Sequence, residues 1–212
     1  MKIAIEGMDG VGKSTIAKKI AEKYELKYIE KPLTDLFETE VTTGKENLGM
    51  VSRNIYDLDT DILKAWFFGL GNIYTFDKYK DEDLVIDRHF ASNYFWNGNE
   101  RSNIIFKTMI ELVGVPDITI LLYASPKTRL KRLYLRNPND YDLTDEEKHV
   151  DGYDKMIDFL KTFNIPFVLI NTEDKTTDEV FEEVDEVILD IKKNNNSTKK
   201  IKKSYSLTNC KN

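Results

Sequence analysis

The run G-M-D-G-V-G-K-S from Gly7 to Ser14 completes the pattern G-x-x-x-x-G-K-[ST], the spacing of a loop that cradles a polyphosphate. Gly7, Gly10 and Gly12 let the backbone curl tightly. The N–H groups of Gly7, Asp9, Gly10, Val11 and Gly12, continued by Lys13, Ser14 and Thr15 at a helix N-terminus, can then converge on one anion. Lys13 adds a mobile positive charge for the β and γ phosphates, and the Ser14 hydroxyl can hold a magnesium ion. Together these residues imply a nucleoside triphosphate site.

A second chemical group ends the apolar run Leu84-Val85-Ile86. Asp87 could hold magnesium through water or accept a proton, and Arg88 could clamp a phosphate with paired hydrogen bonds. A mutual salt bridge closing the strand is the alternative. His89 reads better as a packed or hydrogen-bonded ring than as a base, and His149 as an exposed one. Further along, Arg129, Arg132 and Arg136 fall within an arc of about 60° on one helix, at 100° per residue. Guanidiniums on a closing segment can neutralise charge on a migrating phosphoryl group, whereas a solvated basic face would leave them idle. The polar, acidic stretch Asn137 to Glu147 then suits a mobile cover.

These residues need strand ends and helix starts to hold them. Ile3-Ala4-Ile5 reads as a buried strand before the glycine loop, and Ile16, Ala17, Ile20, Ala21 and Tyr24 as the apolar face of the helix after it. More β-rich runs occur at Lys27 to Ile29, Leu84 to Asp87, Ile118 to Tyr123 and Phe167 to Ile170, separated by helical stretches. This alternation predicts an α/β fold: a three-layer sandwich with a parallel sheet of about five strands, helices on both faces, and ligands at the carboxyl ends of the strands. Between Asn54 and Tyr79 one long helical stretch is expected, rich in aromatics; most are core, with Phe67 and Phe68 candidates for a base pocket. Ser125-Pro126 opens a helix, and Thr176-x-x-Glu179 forms a capping box for the last one.

The length, 212 residues, suits one domain. The net charge is −6, but seven lysines from Lys192 onward have no acid among them, so the preceding body carries −13. Such a body argues against a nucleic-acid surface. A domain over 1–191 is therefore expected, followed by a Lys/Asn-rich, disordered tail over 192–212. The lone cysteine, Cys210, leaves no disulfide or cysteine metal site, and neither a long apolar run nor a signal pattern occurs. The expectation is a cytoplasmic protein with no membrane partner.

The ordered set I-E-G-M-D-G-V-G-K-S-T at Ile5 to Thr15, D-R-H-F-A-S-N-Y-F-W-N-G at Asp87 to Gly98, V-P-D-I-T-I-L-L-Y at Val115 to Tyr123 and K-R-L-Y-L-R at Lys131 to Arg136 resembles the thymidylate kinase family, among the P-loop nucleoside monophosphate and deoxynucleoside kinases. The resemblance spans about Lys2 to Ile191. It implies a P-loop NTPase-type fold with a small arginine-bearing lid over about 132–150, and transfer of the ATP γ-phosphoryl group, with magnesium, to a deoxynucleoside monophosphate, dTMP to dTDP. It further implies Lys13, Asp87, Arg88, Arg132 and Arg136 as catalytic residues, with Ser14 and Asp87 at the metal. Asp9, Glu30 and Arg88 would meet the acceptor, and Ser92, Trp96 and Asn97 its base. Gly10 stands where some members carry an arginine, which shifts that role to the lid. A homodimer is compatible. The chain departs from the family in Glu30-Lys31-Pro32-Leu33, nearer the E-P turn of deoxynucleoside kinases, in Gly69-Leu70-Gly71-Asn72, where an arginine is expected, and in a lid reading Asn139-Asp140-Tyr141-Asp142. A deoxynucleoside kinase acting on a 5'-hydroxyl is thus the alternative, and a regulatory NTP-binding switch a further one.

Overall fold

A computed structural model describes residues 1–140, 143 and 151–208, with side chains through 193. Five strands, β1 (Lys2–Glu6), β2 (Lys27–Glu30), β3 (Leu84–Asp87), β4 (Ile118–Tyr123) and β5 (Phe167–Asn171), form one parallel sheet in the order β2-β3-β1-β4-β5. β1 and β3 are buried almost throughout, as strands covered by helices on both faces must be. The chain leaves β1 at the point where strand order reverses, which opens a crevice at the strand ends. Register then decides what meets there. Ile5 and Glu30 both lie opposite Asp87, so the glycine loop, the D-R-H segment and the E-K-P turn emerge side by side.

The helix α1 (Lys13–Tyr24) starts at Gly12 and lays Ile16, Ala17 and Ile20 on the sheet beside α9 (Thr177–Thr208). Burial of each isoleucine contributes about 1.5–3 kcal/mol, which anchors the loop at its C-terminal end. On the opposite face lie α4 (Asp61–Lys78), α5 (Phe90–Asn97), α6 (Asn103–Val113) and α8 (Tyr153–Thr162), packed through Phe90, Phe106, Met109, Met156 and Phe159. The short α2 (Pro32–Leu36) and then α3 (Gly44–Tyr56) cover the end of β2, and α7 (Pro126–Arg136) follows β4.

Two stretches differ from the sequence reading. The single helix expected between Asn54 and Tyr79 is broken at 57–60, because Thr60 caps α4 by accepting from Leu63 N–H and so starts a new helix. Beyond Ile191, where an unstructured tail was expected, the backbone of α9 continues as helix to Thr208. Extending an existing helix avoids the cost of nucleation, and lysine is a good helix former. Ser125 with Pro126, and the reciprocal bonds of Thr176 and Glu179, cap α7 and α9 as their sequences predict. Among the described residues no helix is long and apolar enough to cross a membrane.

Candidate functional site

The strand ends open into a cleft of about 950 Å³, at the upper end of ligand-pocket sizes. At one end lies the glycine loop. Gly7 has φ +136°, and a Cβ there would stand 2.4 Å from the Leu122 carbonyl oxygen, so only glycine fits between the loop and β4. Gly10, at φ +82°, abuts α7 so closely that a Cβ would be 2.6 Å from the Arg129 carbonyl oxygen. The loop therefore rests on α7, which explains why no arginine is accommodated at that position.

Lys13 is buried, donates from Nζ to the Met8 carbonyl at 2.9 Å, and lies 3.6 Å from Asp9 Oδ1. Burial, and then the charge of Arg88, lower it to about 8; the carboxylates of Asp9 and Asp87 offset only part of that. An ammonium held in this way is short of counter-charge, which is what a polyphosphate supplies. Beside it, the Ser14 hydroxyl donates to Asp87 Oδ2, and Tyr28 donates to the same oxygen from 3.4 Å. Asp87 Oδ1 is buried without a partner. A hydroxyl and a half-satisfied carboxylate fit a hard cation such as magnesium. Among the described residues no group of three or more His, Cys, Asp or Glu side chains could hold a metal.

Arg88 adopts φ +76°, a conformation that costs a non-glycine residue about 1–3 kcal/mol. Its N–H donates to the Ile5 carbonyl at 3.0 Å and its guanidinium to the Asp9 carboxylate. Burial would lower its pKa, but Asp9 and Asp87 hold it above the ordinary value. This places one guanidinium between the loop acid and the cleft.

What holds the strained turn is a residue the sequence reading passed over. The Glu6 carboxylate is fully buried at the end of β1 and accepts from the N–H groups of His89, Ala91 and Ser92 at 2.9, 2.9 and 3.2 Å, and from the Ser92 hydroxyl. A carboxylate here satisfies the free N–H groups of α5 and meets the positive end of its dipole. Burial raises its pKa, and the bonds from Ser92 and His89 oppose that rise. The signal was present, since an acid ending an apolar strand just before a glycine turn must find donors. Ser92, expected near the base, lines the cleft but gives its hydroxyl to Glu6. His89 is a packed ring, stacked 4.6 Å from Phe76 and lowered by burial to about 3.

The arginines of α7 divide three ways. Arg129 is buried beneath the loop, donating to the Asp9 carbonyl at 3.2 Å, so it supports the loop rather than joining an exposed face. Arg132 donates to Thr172 Oγ1 at 2.9 Å, to its carbonyl at 2.6 Å and to the Val11 carbonyl at 3.4 Å. Arg136 pairs with Asp140 at the rim. Arg132 and Arg136 both line the cleft. Beyond Asp140 the expected cover lies, apart from Leu143, outside the described residues, as do His149 and Cys210.

The other end of the cleft has walls from Glu30, Tyr56, Phe68, Asn72, Asn93, Trp96 and Asn97. Phe67 is a correction: it does not line the cleft but packs 6.1 Å from Phe37 and edge-on to Phe68 at 5.1 Å, because consecutive helical residues face different ways. Gly7 is likewise not among the residues that line the cleft. Lys31, Lys45, Tyr56, Asn72, Asn93 and Lys175 line the cleft without having been foreseen, since no local spacing pattern marks them.

A family model described as thymidylate kinase matches residues 5–184. A probable thymidylate kinase of Archaeoglobus fulgidus is 30% identical over 215 residues, covering 92% of this chain and 100% of its own. One from Methanococcus maripaludis is 26% identical, covering 89% and 94%. Among solved structures, the thymidylate kinase of Candida albicans superposes with a TM-score of 0.65 at 19% identity, covering 90% of this chain and 92% of that one. The deoxyadenosine kinase of M. mycoides with dCMP and dCDP bound gives 0.64 at 20%, covering 90% and 100%. At such identities these two likenesses speak to the fold alone.

Proposed function

The chain belongs to the thymidylate kinase family, and from that premise we propose that it is a nucleotide kinase transferring the ATP γ-phosphoryl group to a deoxynucleoside monophosphate, dTMP to dTDP. One observation carries the reading: a glycine loop with a buried, charge-deficient Lys13 shares its cleft with Asp87 and Arg88, and aromatic and amide walls lie at the far end. A phosphate donor and a base-bearing acceptor thus have places within reach of one another.

The catalysis expected of these residues is positioning and electrostatics. The loop N–H groups and Lys13 hold the β and γ phosphates, and Arg88, kept in place by its strained turn and by Asp9, orients the acceptor phosphate. Arg132 and Arg136 approach the migrating group from α7 and, with the cover, exclude water. Ser14 and Asp87 would hold a magnesium ion, which would supply neutralisation of phosphate charge. Residues 1–191 form the kinase domain in this reading, with the lid over about 132–150.

Among the described residues, α4 contributes Phe68 and Asn72 to the cleft and contains no arginine. That favours, as the second reading, a deoxynucleoside whose 5'-hydroxyl needs no clamp. One experiment separates the two: incubation with ATP and magnesium against nucleosides and monophosphates, with products identified by mass. Formation of dTDP from dTMP supports the first reading, formation of monophosphates from nucleosides the second, and no acceptor-dependent ADP would refute both.

A further inference from the structure

Phosphoryl transfer makes no direct use of Glu173, yet its carboxylate ties two parts of the cleft together. Oε2 accepts from the Ser125 N–H at 2.9 Å, and Oε1 accepts from the Ser125 hydroxyl at 2.8 Å and from the Thr128 hydroxyl. These donors belong to the N-cap and first turn of α7, where the positive end of the helix dipole also favours an anion. The bonds from Thr128 and from the Ser125 N–H hold the Glu173 pKa below the ordinary carboxylate value, so the group is charged at neutral pH. The preceding residue makes a second tie to the same helix. Thr172 accepts from Arg132 at its hydroxyl and its carbonyl, at 2.9 and 2.6 Å, while its own hydroxyl donates to the Tyr123 carbonyl of β4 at 2.9 Å. Two consecutive residues after β5 thus hold α7 at its start and again at Arg132.

The segment they belong to is itself a wall. Thr172, Lys175 and Thr176 line the cleft together with Arg132 and Arg136. Sheet order sets which substrate meets them: β2 and β3 lead to the acceptor residues on one side of the glycine loop, so the side of β4 and β5 is left for the nucleoside of the phosphate donor. We propose that Glu173 is a positioning residue for that donor: by latching the loop after β5 onto the start of α7, it fixes the slot that receives the ATP nucleoside, without touching the nucleotide. The proposal rests on the kinase reading above. Without the carboxylate, α7 keeps its seat on the glycine loop through Gly10 and Arg129, so the part set free is the loop after β5. ATP must then order that loop as it binds, which costs donor affinity rather than speed of chemistry.

The test measures ATP dissociation by titration calorimetry, and kcat and KM for ATP and for the preferred acceptor, in wild type, E173A, E173Q, T128V and E173A/T128V. E173A should weaken ATP binding on the order of tenfold and raise its KM equally, with kcat and the acceptor KM held within about threefold. Glutamine can accept from the Ser125 N–H and donate to the two hydroxyls, each of which can also accept, so E173Q should stay within about threefold of wild type. T128V removes one of the three bonds and should weaken ATP about two- to fivefold. The double variant should match E173A, because the valine then has no bond left to remove.

An ATP affinity unchanged in E173A, an acceptor KM that rises as much as that for ATP, an E173Q as weak as E173A, or a double variant weaker than E173A by the full T128V factor each overturns the proposal. Should E173A fail to fold in a thermal melt, T128V decides it: a loss confined to ATP supports the latch, and an unaltered ATP dissociation constant overturns it. A wild type that binds ATP but forms no product from any acceptor removes the kinase reading, while the calorimetric comparison still decides the role of Glu173.

Discussion

Lys13 gives the most direct handle on the donor end. Its ammonium has a pKa of about 8 in the free protein against an ordinary 10.5, chiefly because it is buried. A bound triphosphate brings several negative charges to it and restores the protonated form. With a pKa of about 8, roughly nine-tenths of the side chain is neutral at pH 9 and about one-tenth at pH 7. ATP binding at pH 9 should therefore take up close to one proton from solvent, and at pH 7 almost none. The second ionisation of a phosphate, near pH 6, is about nine-tenths complete at pH 7 and complete at pH 9, so it does not mask the signal at pH 9. Affinity should fall about tenfold for each pH unit above 8, or about 1.4 kcal/mol per unit. Titration calorimetry in two buffers of different ionisation enthalpy reads the proton number directly, and Lys13→Met should abolish the uptake. Equal heats in the two buffers at pH 9 with the wild-type protein would refute the claim that this lysine is short of counter-charge.

Asp87→Asn keeps the shape beside Ser14 but removes the carboxylate charge, so kcat should fall on the order of 10²- to 10³-fold while metal-free ATP binding persists, as initial rates across a magnesium series can show. His89 has a folded pKa near 3 against 6.5 unfolded, so the unfolded chain binds the extra proton between those values. Its contribution to stability is thus present above about pH 6.5 and is lost as pH falls, at about 1.4 kcal/mol per unit. His89→Phe should flatten the acid limb of urea unfolding curves taken at pH 7, 5 and 4; an unchanged limb contradicts the assignment. Gly10→Ala combines a φ of +82° with a Cβ 2.6 Å from the Arg129 carbonyl oxygen, so it should destabilise by about 1–3 kcal/mol and lower Tm, and full stability would show that the loop does not rest on α7.

Much of this architecture was legible because its determinants are local. A glycine loop between an apolar strand and an amphipathic helix signals itself within about 25 residues, as do Ser125-Pro126 and Thr176-x-x-Glu179. β3 and β4 were foreseen with the bounds they have, since strands buried on both faces read as continuous apolar runs. What was not legible depends on partners distant in sequence. Glu6 binds residues more than eighty positions away, Arg129 reaches back to Asp9, and Asn93 is oriented by a carbonyl in a helix 28 residues earlier. The three arginines look equivalent on a helical wheel, and only the placement of α7 against the glycine loop and Thr172 distinguishes a buried brace from a rim cation. Phe67 and Phe68 were likewise inseparable by residue type, although one faces the cleft and the other does not.

The distribution of charge explains how so acidic a chain can receive a polyanion. Seven basic side chains, Lys13, Lys31, Lys45, Arg88, Arg132, Arg136 and Lys175, line the cleft against three acids, Asp9, Glu30 and Asp87. His89 adds nothing at neutral pH. The cleft is therefore locally positive inside a body whose net charge before Lys192 is −13. Low-dielectric walls concentrate that field, whereas the outer surface faces water and is screened within about 10 Å at 0.1 M salt. An extended nucleic acid would meet the acidic exterior; a mononucleotide is small enough to leave it behind and enter the field. The same concentration of cations would repel itself in the empty site, which accounts for Arg88 leaning on Asp9, Arg136 on Asp140 and Arg132 on the Thr172 carbonyl. Each guanidinium is thus already oriented before a phosphate arrives, and each can exchange a protein oxygen for a phosphate oxygen without first having to be ordered.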